Sequence, residues 1–263
     1  MKNYIITLGI GLISCIALYP QDLSDNPQKW ASFIHLESGF VYPTTRIKES
    51  IAIRQNISSY FVNQSTKGEI SSNTSGFLLG LRLEYFNVKL KTGISTGLKY
   101  SGYQSEISGY SSSNADFFYL RYSMLDSDTK FARIKSLNET NKFLSIPLEF
   151  RYVPINVKGF GLFVKAGADF CILKLENNTD INFQDKSMEV NEGEILDNIG
   201  TSGKTSFSSI YGSVGMKFGY ENKPNYTFEV LLPSKFLTSN NFTLFDVDNF
   251  YGFKFSVQFP VKL

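Results

Sequence analysis

The sequence predicts an all-β protein, an eight-stranded antiparallel up-and-down transmembrane β-barrel with long extracellular loops. Three observations predict it. A two-residue alternation of apolar with polar or small side chains recurs in eight segments, and successive side chains of a strand face opposite sides of a sheet. The connections between segments run long, short, long, short, long, short, long, which is the asymmetry between the outer surface and the periplasmic side of a bacterial barrel. About forty positions fall on the outward face in this reading, and none is Asp, Glu, Lys or Arg, although charged residues are 19% of the chain. A lipid-facing Lys or Arg near the bilayer midplane costs ~2–4 kcal/mol.

The first strand runs near Phe33 to Tyr42, with Ile34, Leu36, Phe40 and Tyr42 outward and His35, Glu37 and Gly39 inward. A Ser-, Asn- and Thr-rich loop follows, long for a compact soluble domain. The second strand sets Phe77, Leu79, Leu81, Leu83 and Tyr85 against Leu78, Gly80, Arg82 and Glu84. A tight turn at Asn87 leads to the third, where Leu90, Thr92, Ile94, Thr96, Leu98 and Tyr100 oppose Lys91, Gly93, Ser95, Gly97 and Lys99. The next long loop, roughly Ser101 to Lys142, is expected to carry its own hairpin with Asp126-Ser127-Asp128 at the tip.

The fourth strand alternates Leu144, Ile146, Leu148, Phe150 and Tyr152 with Ser145, Pro147, Glu149 and Arg151. After a short turn over Pro154 to Gly159, the fifth sets Leu162, Val164, Ala166, Ala168, Phe170 and Ile172 against Lys165, Gly167, Asp169 and Cys171. A third long loop, Asn177 to Lys204, holds the acidic run Glu189 to Asp197. The sixth places Val214, Met216, Phe218 and Tyr220 outward, with Ser213, Gly215, Lys217 and Gly219 inward. Asn222-Lys223-Pro224-Asn225 is a turn signal. The seventh has Tyr226, Phe228, Val230 and Leu232 opposite Thr227 and Glu229, and the eighth Tyr251, Phe253, Phe255, Val257 and Phe259 opposite Gly252, Lys254, Ser256 and Gln258. The count is even, as bacterial single-chain barrels require.

Aromatic residues fit the same orientation. Trp30, Tyr85, Tyr152, Tyr220 and Tyr226 fall at the short-turn ends, and Tyr42, Tyr100, Phe143, Phe170 and Tyr251 at the long-loop ends, where two interfacial girdles belong.

Bulk properties set limits. At 263 residues, one large domain is expected, with an export signal over 1–20 and the barrel over 21–263. The net charge of +2 implies no nucleic-acid partner, and no segment beyond the N-terminus has the ~18 consecutive apolar residues of a membrane helix. Lys2 and the apolar run Tyr4 to Ala17 read as the signal. Its end has two readings: cleavage near Ala17, or a lipobox at Leu12-Ile13-Ser14-Cys15 with Cys15 acylated. The apolar run continues past Cys15 through Ile16, Ala17 and Leu18, which favours the first. Only Cys171 then remains, so no disulfide framework is expected.

The inward set carries both signs: Glu37, Glu84, Glu149, Asp169 and Glu229 against Arg82, Lys91, Lys99, Arg151, Lys165, Lys217 and Lys254. Eight strands enclose a lumen that side chains can fill, so a paired charge network is expected rather than a conducting path. His35, the one histidine, is expected to be another lumen residue; the alternative makes it a general base beside a Ser and a carboxylate such as Glu37. No metal or other cofactor is expected, since one His and one Cys cannot build a zinc site. Asp126-Ser127-Asp128 and the Glu189 to Asp197 run are read as solvated loop acids before loose Ca²⁺ ligands. Phe117, Phe118, Tyr119 and Tyr122 form either a contact patch or an extension of the barrel wall, and Ile47, Ile51 and Ile57 suggest a surface helix or a lid.

The stretch Phe143-Leu144-Ser145-Ile146-Pro147-Leu148-Glu149-Phe150-Arg151-Tyr152, followed by Leu162-Phe163-Val164-Lys165-Ala166-Gly167-Ala168, resembles a signature hairpin of the PorT-like outer-membrane β-barrel family. Gly76 to Leu81 and Leu90 to Tyr100 are similar to that family's middle hairpin. The resemblance implies an outer-membrane barrel, secretion-related in one branch, and supplies no catalytic residues. The tail Phe259-Pro260-Val261-Lys262-Leu263 departs from the usual terminal Phe or Trp, yet its alternation persists.

The expectation is a small, non-enzymatic barrel of the bacterial outer membrane with a structural or interaction role. Its partners would be outer-membrane lipid, the barrel-assembly machinery during insertion, and a protein or glycan at the outer loops. A barrel enzyme acting on lipid or peptide, or a narrow pore, is the alternative, and a soluble lipocalin-like carrier ranks last because the charges face inward.

Overall fold

A computed structural model describes residues 30–49, 51, 53–54, 57–58, 66–67, 69–110, 117–125, 128–200, 208–220, 223–237 and 242–261. The export signal with Cys15, and Asp126 and Ser127 of the hairpin tip, lie outside this set. Eight strands form the wall: β1 (Trp30–Ile47), β2 (Glu69–Asn87), β3 (Thr92–Tyr110), β4 (Asp128–Val157), β5 (Phe160–Phe183), β6 (Ser208–Phe218), β7 (Asn225–Phe236) and β8 (Phe245–Val261). Each pairs antiparallel with its neighbours in sequence, and β1 pairs with β8 from Ser32↔Val261 to Ile47↔Phe245, closing the ring. Closure leaves no edge of unpaired backbone groups, the condition for crossing hydrocarbon with strands.

Alternation sets the register. Along β2, Phe77, Leu79, Leu81 and Tyr85 are exposed while Leu78, Arg82 and Glu84 are buried, and the other seven strands keep the assigned sidedness through the belt. Trp30, Tyr85, Tyr152, Tyr220 and Tyr226 ring the short-turn end. At the opposite end Tyr42 stacks on Tyr251 at 5.7 Å, below which Phe40 meets Phe253 at 5.5 Å. Phe143 is the exception in that girdle: it is fully buried and points inward, against Phe242 and Tyr103. Strand alternation is the reason: Phe143 has the same parity as the inward residues Asn141, Ser145 and Glu149, so its side chain faces the lumen and not the girdle. The bulges in this pairing lie on β5, where Ile172 and Leu175 are skipped, and leave the alternation of β4 intact.

The short turns are tight. Lys158 and Gly159 join β4 to β5, and Gly159 has φ 76°, the left-handed region that glycine enters at no steric cost. Between β2 and β3, Lys91 takes φ 56° and accepts a hydrogen bond from the Val153 amide on its backbone oxygen.

Beyond the outer girdle four strands do not stop. β4 begins sixteen residues before Leu144, and β2, β3 and β5 rise beside it. Sidedness inverts there. Gln104 and Glu106 face out while Tyr103 and Ile107 face in; on β4 Asn138 and Thr140 face out and Leu137 faces in. Hydrocarbon outside demands apolar-out strands, and water outside demands polar-out strands around an apolar core. The same strands satisfy both in turn. The segment from Ser101 to Lys142, expected to be mostly loop, is therefore mostly wall, because the inverted pattern breaks the periodicity that marked each strand. Its expected hairpin is present: Phe118–Leu125 pairs back onto β4, with Leu125↔Asp128 beside the tip.

The other outer connections cap the rim. Ile53–Arg54 pairs with Leu120 and Tyr119, Ile57–Ser58 pairs with Thr66–Lys67, and Ile51 is buried in the rim core, so the described residues of this segment are strand pairs and rim core and form no helix. A 3-10 turn (Lys186–Asn191) leads into α1 (Glu192–Ile199), whose Ile195 is fully buried in the same core. The acidic run thus builds a helix: Asp185 caps the turn through the Ser187 amide at 3.0 Å, a bond that holds its carboxyl below the ordinary range, and Glu192 accepts the Ile181 amide at 3.2 Å.

Candidate functional site

Two parts of the molecule carry chemistry, the barrel interior and the outer rim. The interior is built in three tiers. At the periplasmic end, Phe33, Phe86, Val153 and Phe163 form a small apolar plug. The bilayer-level tier is ionic. Four carboxylates from four strands (Glu37, Glu84, Glu149, Glu229) interlock with Arg82, Arg151, Lys165 and Lys254, each less than a tenth exposed. Arg82 reaches Glu37 at 2.8 Å and also contacts Glu149. Lys165 binds Glu229 at 2.6 Å and Glu149 at 3.2 Å; Lys254 binds Glu229 at 3.0 Å and Glu149 at 3.3 Å. Arg151 meets Glu84 at 2.8 Å. Four negative and four positive groups balance, which is how buried charge is tolerated.

The tiers are joined through ring faces. Arg151 lies over Phe86 and Phe163 at 5.3 and 5.6 Å, and Lys217 over Phe33 at 5.6 Å. Above the layer, Lys99 pairs with Asp169, which also accepts from Ser209 at 3.3 Å. Glycines make the room: a Cβ on Gly80 would strike the Glu37 side chain, and one on Gly93 the Glu84 carboxylate. The third tier is the rim core, in which Tyr103, Phe143, Phe236 and Phe242 meet edge to face.

Of the predicted lumen charges, the structure brings Glu37, Arg82, Glu84, Lys99, Glu149, Arg151, Lys165, Asp169, Lys217, Glu229 and Lys254 inside. Lys91 is the correction. It lies in the β2–β3 turn with its side chain in solvent, because its strand starts only at Thr92. Tyr211, whose hydroxyl donates to Glu149 at 2.6 Å, was not singled out by the sequence reading, since it stands at the start of a strand recognised only from Ser213 on. Glu139 was missed as well: it accepts from the amides of Thr243 and Leu244 at 2.5 and 2.9 Å and from Asn141 at 2.7 Å, anchoring the last outer loop. No sequence signal marks it, because the two amide bonds that give it its role join residues over a hundred positions apart.

His35 is buried with its ring 2.7 Å from Glu84 and within 3.2 Å of Gln258. Its described partners are this carboxylate and this amide, and no serine hydroxyl is among them. The void between the ionic tier and the rim core, lined by Tyr103, Asp169, Tyr211 and Lys254 among others, holds about 10 Å³, room for a single water.

The outward face of the rim is a polar sheet. Ser75, Gln104, Thr140 and Asn178 lie in one row across β2 to β5, and Asn73, Glu106, Asn138 and Asp180 in the next. Between β2 and β4 these rows enclose a groove of about 280 Å³. Phe117 and Tyr119 pack edge to face at 5.5 Å, with Arg133 over Phe117 at 5.7 Å, while Phe118 is buried. The aromatic cluster is thus divided between the two faces of the wall extension.

No protein-family model and no curated protein matches the chain, so its likeness to the PorT-like family remains one of strand pattern. Among solved structures it is similar to the outer membrane protein OprG of Pseudomonas aeruginosa (13% identity, 87% of this chain and 96% of that one, TM-score 0.38). It is also similar to Ail, the attachment invasion locus protein of Yersinia pestis, solved with the heparin analogue sucrose octasulfate (10%, 87% and 99%, 0.29). A third is the outer membrane protease OmpT of Escherichia coli (12%, 92% and 100%, 0.23). Residue roles do not transfer at such levels. What places the chain is its own surface: a closed antiparallel barrel with a continuous apolar belt, two aromatic girdles and outer connections longer than the periplasmic turns is an integral protein of the bacterial outer membrane.

Proposed function

We propose that the barrel is a sealed, non-enzymatic anchor that holds a rigid interaction surface above the outer leaflet. The observation that carries the reading is the inversion of sidedness at the outer girdle. It turns β2 to β5 and the 118–125 hairpin into a folded rim above the bilayer. Such a rim presents fixed rows of amide, hydroxyl and carboxylate groups, the chemistry that recognises a polar partner such as a glycan or an extended peptide. A sealed interior and a buried, amide-bonded His35 support an interaction role over hydrolysis or conduction.

The test uses whole cells with a photoreactive side chain at Gln104 or Asn138 on the rim, and at Leu148 in the belt as control. The rim positions are expected to yield one discrete protein or glycan adduct that the belt position does not; lipid adducts alone from all three would overturn the reading. A pore remains the second reading, favoured only by the polar interior. Planar bilayers are expected to show no conductance steps, and steps removed by a lumen substitution would establish it.

A further inference from the structure

The apolar belt is not uniform. On the β3–β7 side the outward row Ile94, Phe150, Ala166, Gly212 sits beside the row Leu148, Ala168, Ile210, Lys235. Small residues at the middle of both rows, between Phe150 and Leu148 on one flank and Ile210 and Pro233 on the other, leave a dent of about 710 Å³ in the lipid-facing wall. A bulge borders it. Leu232 and Pro233 together face the single residue Tyr251, since the pairing steps from Leu231↔Gly252 to Ser234↔Phe250; Pro233, which has no amide hydrogen to lose, sits in the bulge and lines the dent.

The dent has one exposed charge; Glu149 and Tyr211, which also border its floor, are buried and bonded to each other. Lys235 stands at its top, exposed, opposite Asn249, which is two residues beyond the girdle residue Tyr251 on β8. Among the described residues no carboxylate pairs with it. A volume of this size lies within the range of specific small-molecule sites. Its floor and walls are within the hydrocarbon, so its occupant is a hydrocarbon chain. Its mouth is at headgroup depth and carries a lone cation, so the headgroup is anionic.

We propose that this dent is a binding site for one acyl chain of a phosphate-bearing outer-leaflet lipid of the lipid A class, with Lys235 holding the phosphate. A second copy of the barrel fits less well, because a like-charged Lys235 would come with it. The site is independent of whatever the rim engages.

Native mass spectrometry of the refolded full-length barrel in mild detergent, titrated with bisphosphorylated lipid A, tests it. The wild type is expected to take up one lipid saturably. Lys235→Gln is expected to weaken that binding about tenfold while leaving uptake of a neutral diacylglycerol unchanged. Gly212→Leu fills the dent, and a Cβ there meets only Leu232 Cδ1 at 3.7 Å and the Lys165 backbone oxygen at 3.9 Å, so the barrel still folds. This variant is expected to lose both lipids, with heat-dependent gel mobility confirming the fold. Unsaturable uptake, unchanged uptake by Gly212→Leu, or no effect of Lys235→Gln would overturn the proposal. So would a wild-type dimer that Gly212→Leu converts to monomer, since the occupant would then be a second copy.

Discussion

Glu149 is the keystone of the ionic tier, and its replacement by Gln makes the sharpest prediction. The carboxylate contacts Arg82, lies 3.2 Å from Lys165 and 3.3 Å from Lys254, and accepts the Tyr211 hydroxyl at 2.6 Å. Gln keeps the shape and removes the charge. The balance of four carboxylates against four cations then becomes three against four, inside a layer closed off by the Phe33–Phe163 plug below and the rim core above. Breaking a buried ion pair from one side costs about 3–5 kcal/mol, because the abandoned charge stays desolvated. With a urea dependence of ~2 kcal/mol per molar, typical of small domains, the unfolding midpoint falls by about 2 M. The chain's single tryptophan, Trp30, lies exposed on the lower girdle and leaves the bilayer on unfolding, so its fluorescence in lipid vesicles reads the transition. A second variant separates charge from packing. Adding Lys165→Met to Glu149→Gln restores neutrality and is expected to recover at least ~1 kcal/mol relative to the single variant, a coupling that a double-mutant cycle reads directly. A single variant within ~1 kcal/mol of wild type would refute the sealed ionic tier and imply that water reaches it.

Three further outcomes are expected. Lys91→Gly is expected to stabilise the barrel slightly, by up to ~1 kcal/mol, because it relieves a non-glycine residue at φ 56°; a loss of several kcal/mol in the same urea titration would return Lys91 to the lumen. Leu148→Arg places a charge on the exposed belt, away from the girdles, and is expected to cost ~2–4 kcal/mol in vesicles, whereas Thr140→Arg on the rim should change the midpoint by less than ~0.5 kcal/mol. Gly97→Ala would drive a Cβ into the backbone oxygen of Leu81 and the Cα of Arg82. That variant is expected to lack the heat-dependent gel shift of the folded barrel, and a normal shift would show that the β2–β3 pairing can yield there.

The sequence was legible wherever one rule held over a whole segment. Arg82 and Glu84 alternate with Leu81, Leu83 and Tyr85, and that period of two fixed sidedness, strand order and the inward address of eleven charges before any contact was known. It failed where the rule changed along a strand. Beyond Tyr100 and before Leu144 the outward residues become Gln104, Glu106, Asn138 and Thr140, so the same wall reads as loop when one sidedness is assumed throughout. Lys91 was misplaced for a related reason, since alternation continues through a turn that it does not describe. Glu139 anchors the 243–244 backbone and Tyr211 reaches Glu149, partners distant in the chain that no local pattern records.

By itself, then, the sequence determined the medium on each side of the wall, because hydrocarbon and water impose opposite compositions on alternating positions. The tertiary structure decided which charges meet, where the wall outgrows the bilayer, and where small residues of β5 and β6, beside a bulge in β7, leave a dent facing lipid. Those outcomes depend on register between strands, and register is set by closure of the whole ring.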